Sequence, residues 1–223
     1  MPWKEKSEGF SEGNMRKITV MILLLVTSFC LFASDAFKEV DLTSGDYSFI
    51  SGAFSGGSFV GDFRQVKAVK GSPRTFVSTG RIQIATGYGI VWYTEKPYAS
   101  MLVVGKDVLI QKIRDGEPTH LDMAQNPIYT QIATSLECVF SADFSVMSQM
   151  FTSYLAGDSS SWELRLVPKS KSVASFMESI EMKGSDRFES LTLYETTGDS
   201  IRYEFSGLEN RELTDEELKV YSL

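Results

Sequence analysis

The run from Gly80 to Pro97, GRIQIATGYGIVWYTEKP, restricts the fold of this chain more than any other stretch. Ile82 and Ile84 alternate with Arg81, Gln83 and Ala85, and past a glycine-bearing turn Ile90, Trp92 and Thr94 share a face. Alternation with a period of two belongs to half-buried antiparallel strands joined by a tight turn. An inward Trp contributes a large apolar area, while its indole N–H still calls for a partner. The pattern is one that lines a space; it carries no acid–base or nucleophilic machinery.

Further strands are expected to follow one another over Phe59 to Val69, Phe76 to Ala85, Gly89 to Glu95, Ser100 to Val104 and Val108 to Ile113. Turns such as Gly71-Ser72-Pro73 and Asp115-Gly116 separate these runs. Spacings this short favour hairpins and a meander, because parallel pairs need long crossovers. The middle of the chain changes period. Pro127 to Cys138 and Asp143 to Leu155 read as helices, the second with Phe144, Met147, Phe151, Tyr154 and Leu155 in one apolar stripe. Asp143 is its expected N-cap and Gly157 its stop. Strands then resume at Trp162 to Val167, Ser175 to Met182, Phe188 to Glu195 and Ser200 to Phe205, before a short acidic helix from Thr214 to Tyr221. Asp41 to Ser58 gives only a loose or partly helical lead-in.

A twisted open sheet of about ten strands tends to curl. The expected fold is therefore mainly β with a helical lid (α+β): a curved antiparallel half-barrel sheet of about nine to eleven strands covered by helices. Such a sheet can enclose an apolar cavity or pack dry against its helices, and the pattern leaves both open.

Arg16 and Lys17 precede an apolar run from Ile18 to Phe32 that ends in Ala33, Ser34, Asp35 and Ala36. This order is that of a secretory signal peptide over residues 15–36, with cleavage after Ala36; a retained anchor is the alternative. Residues 1–14 read as an upstream extension, and Met15 as the true start. Cys30 invites a lipid-attachment reading, but the bulky Phe29 before it is a poor neighbour for one. Without Cys30, Cys138 stands alone, so the mature chain has no internal disulfide. The remaining residues 37–223 are enough for a single domain. Residues 1–36 carry four basic and four acidic residues, so the mature charge stays at −7. That balance argues against nucleic-acid binding and against simple adsorption to anionic lipid.

Catalytic patterns are missing from the sequence. The chain has one histidine, His120, in a segment read as a solvated loop, and Cys138 falls on a helix that buries it. There is no serine elbow, no phosphate loop and no paired-cysteine metal site. The acidic groups Glu209, Glu212, Asp215, Glu216 and Glu217 read as a solvated face. The expectation is a binding protein with no cofactor and no bound metal.

Gly80-x-Ile82-x-Ile84, then Ile90-Val91-Trp92 and Pro97, and later Trp162-x-Leu164-x-Leu166-x-Pro168, together resemble the periplasmic outer-membrane lipoprotein carriers (LolA-like). Phe63-Arg64-Gln65 resembles an early strand of that family, Gly105-Lys106-Asp107 sits at one of its hairpin turns, and Leu109-Ile110 follows where an apolar-aromatic pair stands. The resemblance implies a periplasmic, monomeric lipid-binding chaperone for outer-membrane biogenesis. Its implied cargo is an acylated lipoprotein or other lipid, received from an inner-membrane exporter and passed to an outer-membrane acceptor. It places Ile90 and Trp92 in the acyl-binding region. The expected lining is Phe63, Ile82, Ile84, Ile90, Trp92, Met101, Val103, Met147, Phe151 and Leu164. The family's lid-controlling Arg-Pro pair is replaced here by Thr86-Gly87, so Thr86 marks the lid-control position. A scaffold or sensor with a filled core and a lipid-acting hydrolase are the competing expectations.

Overall fold

The structure, a computed structural model, describes residues 37–54, 58–105, 108–122 and 127–222. The leader expected over 15–36 with its Cys30, the extension over 1–14 and the turn at Lys106-Asp107 lie outside the described residues. Residues 37–223 form one compact unit that contains both of its apolar clusters.

Among the described residues one open, curled antiparallel sheet holds twelve strands. They are β1 (Lys38–Val40), β2 (Ser58–Ala68), β3 (Thr75–Ala85), β4 (Gly89–Lys96), β5 (Ser100–Gly105), β6 (Val108–Ile113), β7 (Thr119–Asp122), β8 (Phe151–Asp158), β9 (Ser161–Pro168), β10 (Met177–Gly184), β11 (Phe188–Glu195) and β12 (Ser200–Asn210). In the spatial order β1-β8-β9-β10-β11-β12-β2-β3-β4-β5-β6-β7, two meanders, β8 to β12 and β2 to β7, are joined where β12 pairs with β2, and β1 is added at the β8 edge. The helices are α1 (Ser48–Gly52), α2 (Pro127–Phe140), α3 (Phe144–Met150), α4 (Lys171–Ala174) and α5 (Asp215–Lys219). Helices α2 and α3, inserted between the meanders, place Ala133, Val139, Phe140 and Met147 in the core of the sheet's inner face.

The helix expected from Asp143 to Leu155 is half strand. Asp143 does cap α3, its Oδ1 accepting from the Val146 N–H at 3.0 Å, but the helix ends at Met150 and β8 begins at Phe151. Phe151, Ser153 and Leu155 are buried on the inner face, and β8 is paired on both sides, to β9 and to β1. Two ladders outweigh one amphipathic turn, since a helix here would leave both neighbours unpaired. Gly157 is not a helix stop. It lies in β8 opposite Trp162, just before the β8–β9 turn, at φ +84°, where an added Cβ would fall 2.1 Å from the Ser161 carbonyl oxygen.

His120 lies on β7 opposite Ile110 and is exposed, so the loop expected there is an edge strand. The C-terminal helix forms as read, with a capping box in which Thr214 and Glu217 satisfy each other's backbone N–H groups.

The sheet is covered on both faces. Inward residues such as Phe59, Phe63, Ile82, Trp162, Leu164 and Ile180 form one large cluster. Val91, Val103 and Ile110 form a second, on the outer face, covered by Val220 from the turn after α5. Fully burying a side chain of this size contributes about 1.5–3 kcal/mol.

Candidate functional site

Strand register builds the inner face row by row. Ile82 stands opposite Trp92, and Trp92 opposite Leu102; in the next row Ile84 faces Ile90, and Ile90 faces Val104. Across the β2–β12 seam Phe63 is paired with Phe205 and Gln65 with Tyr203. The result is a chain of aromatic rings along the floor. Phe54 packs on Phe188 at 4.5 Å between centroids, Phe188 on Phe205 at 5.0 Å, Phe205 on Tyr203 at 6.2 Å and Tyr203 on Trp92 at 6.4 Å. Phe140, the last residue of α2, contacts three of these rings edge-on: Trp92 at 6.1 Å, Phe205 at 6.0 Å and Phe188 at 6.1 Å. It acts as a plug.

Beside Phe140 is a cavity of about 260 Å³, bounded by Trp92, Leu102, Val104, Leu136, Phe140, Leu191 and Tyr203, with the polar Gln65, Thr94, Ser100 and Gln111 also on its wall. Trp92 Nε1 is buried there without a hydrogen-bond acceptor among the described residues. Burial pushes the Tyr203 phenol up to about 12, so it stays protonated. A larger hollow of about 570 Å³ lies among Arg81, Tyr93, Met101, Lys112 and Glu217. Its wall is mixed, with the charged groups Arg81, Glu95, Lys112, Arg114 and Glu217 set among Val60, Ile82, Ala99 and Met101.

Eight of the ten lining residues expected from sequence meet in the inner cluster: Phe63, Ile82, Ile84, Ile90, Trp92, Met147, Phe151 and Leu164. Of these, Trp92 borders the 260 Å³ cavity. Met101 and Val103 point the other way, into the outer cluster with Val91 and Ile110; their neighbours Leu102 and Val104 are the inward pair. Sequence reasoning also passed over Phe140, two residues beyond the expected end of its helix, and Tyr203, whose alternation with Arg202 and Glu204 was visible.

The lid is tied to the end of β9. Gln131 Oε1 of α2 accepts from Ser172 Oγ at 2.5 Å and Ser170 Oγ at 3.3 Å, and Lys169 Nζ donates to the Ser148 carbonyl at 2.7 Å. Thr86 is exposed in the β3–β4 turn. On the outer face the C-terminal segment forms a clasp. Gln83 Nε2 donates to the Glu217 carbonyl at 2.9 Å and Tyr221 Oη to the Gly89 carbonyl at 3.2 Å. Arg211 grips the Glu217 carboxylate with two bonds of 2.8 and 2.7 Å. Those bonds, with the Thr214 N–H, bring that carboxyl down to about 2.

Cys138 is buried on α2, and its thiol donates to the Ser135 carbonyl at 3.2 Å. Burial, aided by Asp143 and Glu137, pushes the thiol up to about 12, the opposite of what a nucleophile needs. Among the described residues no cluster of His, Cys, Asp or Glu is placed to hold a metal, and no helix is long and apolar enough to cross a membrane.

Residues 56–220 match the family model described as outer membrane lipoprotein carrier protein LolA. The chain belongs to that family. No curated protein sequence matches it. Among solved structures it is similar to a LolA superfamily protein from Nitrosomonas europaea at 10% identity and a TM-score of 0.42, covering 77% of this chain and 96% of that one. It is similar to a putative outer membrane lipoprotein-sorting protein domain from Vibrio parahaemolyticus at 10% identity and a TM-score of 0.43, covering 79% and 96%. A further similar structure is the Pseudomonas aeruginosa MucA/MucB complex, at 16% identity and a TM-score of 0.35, covering 77% and 58%.

Proposed function

We propose that this protein is a periplasmic carrier that shields the acyl chains of a lipoprotein, or of a related lipid, on the inner face of its sheet. In this reading residues 15–36 are a cleaved export signal and residues 37–223 are the working domain. It takes cargo from an inner-membrane exporter and yields it to an outer-membrane acceptor, as a monomer and without covalent chemistry. The observation that carries the reading is the aromatic floor that Phe140 covers edge-on. A chain of 16 carbons held in water costs on the order of 12 kcal/mol, at about 0.8 per CH₂. A carrier must recover much of that and still let go. The 260 Å³ cavity is below the roughly 300–1,000 Å³ of ligand pockets. The geometry is therefore that of a closed form, and loading requires α2 to lift Phe140 off Trp92.

Titration with a palmitoylated lipopeptide tests this, read by Trp92 emission in a Trp162→Phe background. A saturable spectral shift and a bound lipid in native mass spectra are expected. A scaffold or sensor with the same fold is supported by how completely the rings fill the floor. It is the conclusion if neither emission nor thermal stability responds to lipid.

A further inference from the structure

We infer that the end of the sheet beside Thr94 and Ser100 is a docking surface for an anionic lipid bilayer. Among the described residues seven large hydrophobic side chains are exposed; Phe76, Val77, Tyr98 and Ile113 lie at this end of the neighbouring strands β3 to β6, and Phe176 precedes β10 at the same end, four strands from β3. Phe76 and Tyr98 are each 62% exposed and Ile113 56%. The ladders place them together. Ile113 is opposite Ser100, which is opposite Thr94, and the Arg114 N–H donates to the Ala99 carbonyl at 2.9 Å. The Arg114 guanidinium lies 4.8 Å over the Tyr98 ring. Phe76 stands on β3 just beyond the Thr79–Lys96 pair. The tips of β3 to β6 thus span about 15 Å at roughly 4.8 Å per strand. Phe176 is held to the same end by the Thr196 N–H, which donates to its carbonyl at 3.1 Å.

An exposed apolar cluster marks a contact surface, and charge selects its partner. The chain as a whole carries −7, yet segments 66–78, 93–100 and 111–117 hold six Lys or Arg against three Asp or Glu. Lys67 is neutralised by Glu195 at 3.3 Å and Asp199 at 3.9 Å. Among the described residues Lys70, Arg74, Lys96, Lys112 and Arg114 pair with no carboxylate. Apolar tips ringed by unpaired cations match a surface that is anionic outside and apolar within. Tyr98, with its ring and hydroxyl, suits the boundary layer. The acidic remainder of the chain is repelled by the same surface, so contact is end-on. Thr94 and Ser100, which border the inner cavity, stand at that same end. The whole-chain charge, which by itself argues against adsorption to anionic lipid, hides this local reversal.

Residues 37–223, a compact unit with its own core, are the material for the test. The protein is floated, without cargo, with vesicles of phosphatidylcholine alone or mixed with phosphatidylglycerol. Binding to the mixed vesicles at low salt is expected, weaker by at least about tenfold on phosphatidylcholine or at high salt. Phe76→Ser/Tyr98→Ser/Ile113→Ser and, separately, Arg74→Gln/Lys96→Gln/Lys112→Gln/Arg114→Gln should each lose at least about tenfold while keeping the native circular dichroism spectrum. The cation variant keeps every apolar side chain, with only the Arg114 guanidinium lost from the Tyr98 ring, and Arg74→Gln/Lys96→Gln/Lys112→Gln, which leaves that contact intact, decides the matter if the serine variant misfolds. Failure of the parent to float, or flotation of the cation variant equal to the parent, overturns the proposal. So does a concentration-dependent dimer that the serine variant abolishes, which would assign the rim to a second copy of the chain. No cargo enters the assay, so its failure leaves the carrier reading standing.

Discussion

Two tryptophans in one core are held in opposite ways. Trp162 donates its indole N–H to the Ser185 carbonyl at 2.9 Å and is almost wholly buried. Trp92 is buried too, but its N–H has no acceptor among the described residues. A donor left unpaired costs about 1–3 kcal/mol, so removing it offsets part of the loss from a smaller ring. Trp92→Phe should therefore stay within about 1 kcal/mol of the parent in chemical denaturation, whereas Trp162→Phe should lose about 2–4 kcal/mol. Equal losses would mean that the Trp92 N–H finds a partner in solution. An unsatisfied donor beside Phe140 also means that the packing is not optimised at this point, which suits the proposed exchange of one covering for another.

At the scale of elements, the lid is the part with a short list of fastenings. Gln131 is the side chain of α2 that reaches the hydroxyls of Ser170 and Ser172. Gln131→Ala should loosen the helix without touching the aromatic floor. Cys138 reports on it, because a thiol pushed up to about 12 by burial reacts slowly until the helix moves. Labelling of Cys138 by a disulfide reagent should be several-fold faster in Gln131→Ala at unchanged global stability, and unchanged labelling would remove Gln131 as a latch. The register of most strands was legible because one face of each is polar, as with Arg202 and Glu204 against Tyr203 and Phe205. β5 was not. Its sequence, Ser-Met-Leu-Val-Val-Gly, is apolar almost throughout because the C-terminal clasp covers its outer face, so alternation could not tell Met101 and Val103 from Leu102 and Val104. Edge strands β1 and β7 have three and four residues, too few for a period to show. The passage from α3 to β8 was lost for another reason: Phe144, Met147 and Phe151 continue a helical spacing into a strand whose identity comes from partners distant in sequence.

For the molecule as a whole, the proposed carrier role asks that an open sheet whose lid leaves one face be kept rigid from the other. The C-terminal segment does this by spanning the outer face from Arg211 to Tyr221, anchored to β3 through Gln83 and to β4 through Gly89. Glu217 is its hub: the carboxylate takes Arg211 and the Thr214 N–H, while its carbonyl takes Gln83. Its carboxyl titrates near 2 in the folded chain against an ordinary value of 4.5. A depressed folded value means that the charged form favours folding. The contribution is complete above about 4.5 and is lost as pH falls toward about 2. Glu217→Gln should accordingly lower the melting temperature at neutral pH, with the gap to the parent narrowing below about 4.5 and closing near 2. Paired melting curves across that range check it, and a gap that stays constant with pH would show that the clasp is held by packing of Val220 and Tyr221 and not by the ion pair.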